Sequence, residues 1–288
     1  MFVPGDAPAK MEKALHSQAD ALILDLEDSV VEARKAEARA EVRAFLKSYG
    51  GQGGPELWVR VNSTATRHIL QDLVAVVDVR PFGIVLPKAD SVLDVQTLEG
   101  KLTALEQGSG GPIGGGIRIL PIVTETPGAL FQFSGYHQGT TRLAGLTWGA
   151  EDLCTAVGAV TPRDEDGRYT TLYEIARALT LAASAAAGVP AIETIVPDFR
   201  DLDAILAYAT RGRRDGFVGM MAIHPAQVPI INQAFSPSDA EIDFARHVVA
   251  LFAANPNAGA LSLGGKMVDA PHLKQALHTL GRIRSLDV

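Results

Sequence analysis

Short apolar runs alternate with longer amphipathic stretches along most of the chain, and that rhythm predicts repeated strand–helix units. Phe2–Pro4, Ala21–Leu26, Leu57–Val61, Gly83–Leu86, Ile117–Val123, Leu143–Trp148, Ala191–Ile195 and Gly216–Ile223 read as buried parallel strands. Between them, Ala9–Gln18, Val31–Tyr49, Arg67–Val77, Val92–Gln107, Thr171–Ala187 and Leu202–Arg211 carry apolar positions at helical spacing. Eight such repeats point to an α/β fold closed into a (β/α)8 TIM barrel over residues 1–235, rather than to an open sheet. Two more helical patterns follow, Pro225–Ala234 and Asp239–Ala254, then a Pro/Asn/Gly-rich break at Asn255–Gly259 and a last helix from about Pro271. Residues 236–288 are therefore expected to form a C-terminal helical extension that acts as a lid or packs on a neighbouring subunit.

The glycine-rich turns Gly50–Pro55 and Gly108–Gly116 each precede a strand, which places them as αβ connections on the face away from the chemistry. A phosphate-gripping loop needs a strand before it and a helix after it, and the order at Gly108–Gly116 is the reverse. The chain has 288 residues, 47% of them hydrophobic and 20% charged, with a net charge of −7 spread along its length. That balance suits an ordinary soluble globular protein and argues against a nucleic-acid surface. Cys154 is the only cysteine, so an internal disulfide is impossible and a cytoplasmic setting is expected. Neither a signal-peptide pattern nor a bilayer-length apolar run is visible, so no membrane partner is expected.

Charged residues cluster where the strands end. Asp25, Glu27 and Asp28 close the second strand, Arg60 and Asn62 lie on the third, and Lys88 and Glu125 follow the fourth and fifth. Glu151 and Asp152 follow the sixth, Glu193 lies in the seventh, and His224 follows the eighth. Charges beside apolar strands are costly to bury unless paired or metal-bound, so ion pairing at the rim is the plain alternative to function. Glu125 and Asp152 come from adjacent strands and suit oxygen coordination. Without paired histidines or cysteines zinc is poorly supported, whereas two carboxylates with open positions suit Mg²⁺, or Mn²⁺. Arg60 offers a planar fork for a carboxylate, or else a structural pair with Glu27 or Asp28. Metal plus arginine suggests a small oxo-acid. Cys154 reads as a packed thiol, Trp58 and Trp148 as core, and His16, His68, His137, His247 and His278 as solvated. His272 could approach the site only if the tail folds over it.

Nine short motifs occur in order: Phe2-Val-Pro-Gly5, Leu24-Asp-Leu-Glu-Asp-Ser-Val30, Val59-Arg-Val-Asn62, Leu86-Pro-Lys88, Glu125-Thr-Pro-Gly128, Gly149-Ala-Glu-Asp-Leu153, Ala191-Ile-Glu-Thr194, Ile223-His-Pro-Ala-Gln227 and Lys266-Met-Val-Asp269. Each is weak alone. As an ordered set covering nearly the whole chain, they resemble the citrate lyase beta-subunit and malyl-CoA lyase family of Mg²⁺-dependent, HpcH/HpaI aldolase-type barrels. The resemblance implies that Glu125 and Asp152 are metal ligands and that Arg60 holds the oxo-acid carboxylate, with Glu151 and Asp152 helping to seat the acid. It implies that Phe2, Val3, Pro4, Gly5 and Lys13 line a CoA channel, that Ile223 and His224 meet the thioester arm, and that Asp269 is an acidic lid residue reaching a neighbouring subunit's site. A homotrimer or homohexamer is implied, with citrate lyase complex subunits as further candidate partners. Two positions depart from the pattern: a basic residue and a serine usually precede Phe-Val-Pro-Gly, and some relatives carry arginine where Ala7 stands.

The reaction so implied is reversible Claisen-type cleavage of a 3-hydroxy-3-carboxyacyl thioester, with CoA as part of the substrate. It yields an acetyl thioester and an oxo-acid. The metal would act as Lewis acid, rim donors would stabilise the enolate, and Asp269 would move the α-proton. Citryl, malyl and citramalyl thioesters, a carrier-protein form and a thioesterase outcome all remain open from sequence, as do a Mg²⁺-dependent aldolase of free oxo-acids and a non-catalytic subunit.

Overall fold

The computed structural model describes residues 1–111 and 116–284, so the middle of the Gly108–Gly116 turn lies outside the described residues. The chain divides into two compact units, Met1–Ala234 and Phe235–Val288.

In the first unit, β1 (Phe2–Pro4), β2 (Ala21–Asp25), β3 (Glu56–Arg60), β4 (Gly83–Leu86) and β5 (Arg118–Pro121) form a five-stranded parallel sheet in sequential order. A three-stranded parallel sheet holds β6 (Leu146–Thr147), β7 (Ala191–Glu193) and β8 (Gly219–Met220). Single parallel bridges, Ile119 to Leu143 and Ile122 to Thr147, join β5 to the β6 segment. At the other end the Phe2 N–H donates to the Ala222 carbonyl, just past β8, at 2.7 Å. The apolar runs outlast the ladders, and β6 and β8 keep only two residues each. The flanking Leu143, Trp148, Phe217 and Met221 are nonetheless buried, so burial rather than pairing wrote the sequence signal.

Both faces of these strands are covered, which explains their unbroken apolarity. Ile23, Trp58, Val85, Leu120, Ile122 and Met221 pack in one cluster, while the alternating Leu22, Leu24, Val59, Ile84 and Ile119 are fully buried on the other side. Gly83 is needed here, because a Cβ on it would sit 2.3 Å from the Trp58 ring.

The intervening helices are α1 (Pro8–Ala14), α2 (Lys35–Tyr49), α3 (His68–Val76), α4 (Val92–Gly108), α5 (Glu151–Ala156), α6 (Thr171–Ala187), α7 (Leu202–Asp215) and α8 (Gln227–Phe235). Ser91 and Asp94 start α4 with a reciprocal capping box, and Gly188, at φ 68°, ends α6. After β5 the repeat lacks an α-helix and uses two 3-10 turns, Gly128–Phe131 and Phe133–Gln138, where glycines and aromatics weaken helical propensity. That leaves the β5 end on a connection built from 3-10 turns.

The second unit holds α9 (Asp239–Ala254), an antiparallel hairpin of β9 (Ala260–Leu263) and β10 (Lys266–Asp269), and α10 (Ala270–Arg284). The hairpin corrects the purely helical expectation. Its two-residue turn is Gly264-Gly265, both at positive φ (58° and 79°), flanked by alternating apolar residues. Ala245, Val248, Val268 and Ala276 make this unit's core. Among the described residues no helix is long and apolar enough to cross a membrane.

Candidate active site

The strand ends of the first unit carry a linked set of charges. Arg60, at the end of β3, donates from Nε and Nη2 to both Asp25 oxygens at 2.7 Å each, and its Nη1 lies 3.0 Å from Glu27. The register sets this up, because Asp25 pairs directly with Arg60 across the β2–β3 ladder. Burial alone would raise the Asp25 carboxyl, but the Arg60 fork, with N–H groups of Ser29 and Glu27, outweighs it and holds the group below the usual carboxylate range. The guanidinium also lies 4.9 Å from the Phe2 ring centre. Arg60 is thus fixed before any ligand arrives. Asp25 joins Glu27 as its partner, and Asp28 instead lies 3.4 Å from Lys88.

Lys88 follows β4 at φ 51°, a left-handed backbone uncommon for a side chain of this size. Its ammonium meets Glu27 at very short range and lies 3.4 Å from Asp152. Desolvation opposes its charge, yet these carboxylates leave its pKa raised. Its backbone N–H donates to Glu125 Oε2 at 2.6 Å. The unusual backbone therefore aims one donor at Glu125 while the side chain spans Glu27 and Asp152, a role that the motif Leu86-Pro-Lys88 did not disclose.

Glu125 and Asp152 line one cavity of about 90 Å³ together with Arg60, Glu151, Thr147 and Trp148. Glu125 is buried, and that desolvation, with the negative charge of Asp152 next in weight, pushes its carboxyl up to about 8. Thr124 ties the two strand ends together: its hydroxyl donates to the Gly149 carbonyl and accepts from the Gly149 N–H, both at 2.9 Å. A larger, more open hollow of about 400 Å³ shares Glu151 and Asp152 but spreads over exposed Val160 and Thr161. The smaller cavity, unlike this hollow, includes Glu125 and Arg60.

Other singled-out residues fall elsewhere. Glu193 is a buried structural hub that accepts from Trp148 Nε1 at 2.5 Å, Arg177 Nε at 2.7 Å and the Tyr208 hydroxyl at 2.9 Å. Asn62 bonds the Leu26 carbonyl and Asp72. Phe2 lines the cavity, whereas Val3 and Gly5 are buried in the wall; a Cβ on Gly5 would lie 2.5 Å from the Asp25 carbonyl oxygen. Pro4 is half-buried, and Lys13 is exposed on α1. Ile223 is exposed, and His224 stacks on Phe199 with ring centres 4.4 Å apart. Gln227, absent from the sequence-level site, is fully buried. It accepts from the Ile223 and His224 N–H groups at 2.8 and 3.1 Å and donates to the Val196 carbonyl at 2.9 Å, fixing this turn. Cys154 is buried, as are both tryptophans. In the second unit Asp269 pairs with His272 Nδ1 at 2.5 Å, and that contact holds its carboxyl below the usual range.

The donor set fits a hard divalent cation. Two carboxylates face one cavity with one of them held at about 8, a burden that a cation between them would relieve. Among the described residues no group of three or more His, Cys, Asp or Glu could hold a metal. Mg²⁺ does not need one, since it is usually held by one or two carboxylates plus water and substrate oxygens.

Comparisons with known proteins extend this picture. The family model described as HpcH/HpaI aldolase/citrate lyase matches residues 1–225. Citrate lyase subunit beta of Escherichia coli (strain K12) is 33% identical over 284 residues, covering 98% of this chain and 91% of that one. The mitochondrial citramalyl-CoA lyase of Homo sapiens is 30% identical over 292 residues, covering 97% and 83%. The crystal structure of protein CitE from Mycobacterium tuberculosis in complex with magnesium, acetoacetate and coenzyme A superposes with a TM-score of 0.79 at 30% identity, covering 98% of this chain and 96% of that one. With the family model spanning most of its length, this chain belongs to the HpcH/HpaI aldolase/citrate lyase family.

Proposed function

We propose that this protein is a Mg²⁺-dependent carbon–carbon lyase, cleaving a 3-hydroxy-3-carboxyacyl-CoA thioester to an acetyl thioester and an oxo-acid. The observation that carries this reading is the cavity shared by Glu125, Asp152 and Arg60. The relatives described as citramalyl-CoA lyase and as CitE bound to magnesium and coenzyme A support it. Bound there, Mg²⁺ supplies Lewis acidity and a template for substrate oxygens. Glu125 and Asp152 would hold the ion, both as carboxylates, the form that ligates.

Arg60, locked by Asp25 and Glu27, presents a fixed charge to the substrate carboxylate, so little ordering is left to the moment of binding. In cleavage the hydroxyl proton passes to solvent water and the bond between carbinol carbon and thioester α-carbon breaks. Its electron pair passes to the α-carbon as the enolate, which takes a proton from solvent water; in the reverse direction Asp269, whose carboxyl His272 holds below the usual range, is the proposed base that removes the α-proton. The CoA arm is proposed to run past Phe2, Pro4, Lys13, Ile223 and His224.

The eight consecutive parallel strands and the Phe2–Ala222 hydrogen bond support a closed barrel. The C-terminal unit is proposed as a lid, donated between subunits of a homotrimer or homohexamer in the cytoplasm. The test is turnover of citramalyl-, malyl- and citryl-CoA with Mg²⁺ and with EDTA, following oxo-acid release. Cleavage of at least one thioester only with Mg²⁺, lost in Glu125→Gln and Asp152→Asn, supports the reading. Metal-independent turnover, or full activity in both variants, overturns it.

A further inference from the structure

The cavity that holds Glu125, Asp152 and Arg60 has a lining of two kinds. Glu125, Glu151 and Asp152 supply negative charge, and Arg60 is the only cation among the described residues that line it. Phe2, Ile122, Ile195 and Met221 supply the rest of the contrast, and most of the surface open to the cavity is apolar. Ile122 and Met221 belong to the buried cluster inside the strands, while Phe2 and Ile195 pack against it and stay half-buried. Arginine has five N–H donors. Two of those on Arg60 bond Asp25, and Nη1 lies 3.0 Å from Glu27, so those left over suit one carboxylate. Lys88, the other cation of this charged set, is engaged by Glu27, Asp28 and Asp152 and does not line the cavity. With Mg²⁺ bound, its charge and that of Arg60 balance only the three acids of the lining. A second anionic group on the substrate would find no positive charge free to meet it.

We propose that the oxo-acid of this site is a monocarboxylate with a short apolar substituent, pyruvate in its simplest form. The inference rests on the lyase reading and narrows it, because the thioester then carries a methyl group on its carbinol carbon. Citramalyl-CoA meets that description. Its cleavage gives pyruvate and acetyl-CoA, with the hydroxyl proton leaving to water and a proton from water returning to the α-carbon. Arg60 takes the single carboxylate, and the methyl group lies on the apolar lining formed by Phe2, Ile122, Ile195 and Met221. A malyl thioester has hydrogen in place of that methyl and loses its burial, which is worth about four- to ten-fold in specificity. A citryl thioester has a carboxymethyl group there. Its charge would lose water against apolar side chains and face the acids of the lining, a cost on the order of a hundred-fold.

The test is kcat/KM for citramalyl-, malyl- and citryl-CoA with Mg²⁺, in wild type, Ile195→Lys and Ile195→Met. Wild type is expected to prefer citramalyl-CoA over malyl-CoA by about four-fold or more and over citryl-CoA by about a hundred-fold. Ile195 is half-buried and lines the cavity, so a lysine there brings a cation to the apolar lining. Ile195→Lys is expected to raise the citryl-to-citramalyl ratio by about ten-fold or more, the scale of a newly paired charge. Ile195→Met has similar reach without charge and is expected to leave that ratio within about three-fold of wild type. A ratio unmoved in a folded, active Ile195→Lys overturns the placement of the substituent on this lining. If that variant does not fold, the order of the three thioesters in wild type decides alone. Mg²⁺-dependent cleavage led by malyl- or citryl-CoA overturns this inference and leaves the lyase reading standing, whereas cleavage of none of the three overturns both.

Discussion

Glu125→Gln should abolish function and stabilise the metal-free fold at alkaline pH. Burial and the neighbouring Asp152 charge raise the Glu125 carboxyl from the ordinary 4.5 to about 8. At about 1.4 kcal/mol per pH unit, ionising it in the fold therefore costs on the order of 5 kcal/mol. The sign follows from linkage. A group whose folded-state pKa lies above its unfolded value contributes stability that is complete below about pH 4.5 and is lost as pH rises through about 8. Glutamine keeps the shape, can still accept from the Lys88 N–H that now bonds Oε2, and never ionises. In EDTA, urea denaturation should give nearly equal stabilities for wild type and variant at pH 5. At pH 9 the variant should be more stable by several kcal/mol, up to about 5. Saturating Mg²⁺ should restore the wild type at pH 9 and leave the variant unmoved. A constant difference from pH 5 to pH 9, or a variant less stable throughout, would refute the claim that this carboxylate is buried at a cost that a cation relieves.

Two further substitutions separate the site from its scaffold. Arg177→Met should cost about 3–5 kcal/mol in denaturant unfolding, because it strands the fully buried Glu193 without its cationic partner; a loss under 1 kcal/mol would mean that the Trp148 and Tyr208 bonds suffice. Arg60→Lys keeps the charge but loses the fork on Asp25, so oxo-acid affinity in calorimetry should fall about ten-fold or more, and unchanged affinity would remove Arg60 from substrate recognition.

The strand ends were readable from sequence because their chemistry is local. A carboxylate or a guanidinium directly after an apolar run can be placed at the rim from spacing alone, and Glu125, Asp152 and Arg60 do line one cavity. Pairing was less readable. Asp28 and Glu27 were equal candidates for Arg60, and only the β2–β3 register puts Asp25 opposite it. Glu193 looks like any rim carboxylate in sequence, while Trp148, Arg177 and Tyr208, which make it structural, arrive from separate elements. The β9–β10 hairpin was readable, for a Gly-Gly pair between alternating residues is a turn signal, but its strands are only four residues each and lie among helical patterns.

The central claim is that Glu125 and Asp152 share one divalent cation. A crystal grown with Mn²⁺ and pyruvate, with anomalous scattering used to locate the metal, tests it most directly. The account predicts a single strong anomalous peak in the small cavity, at an oxygen-ligand distance of about 2.0–2.2 Å from both side chains, with pyruvate oxygens completing the shell. A peak away from either carboxylate, or none at saturating Mn²⁺, would contradict it.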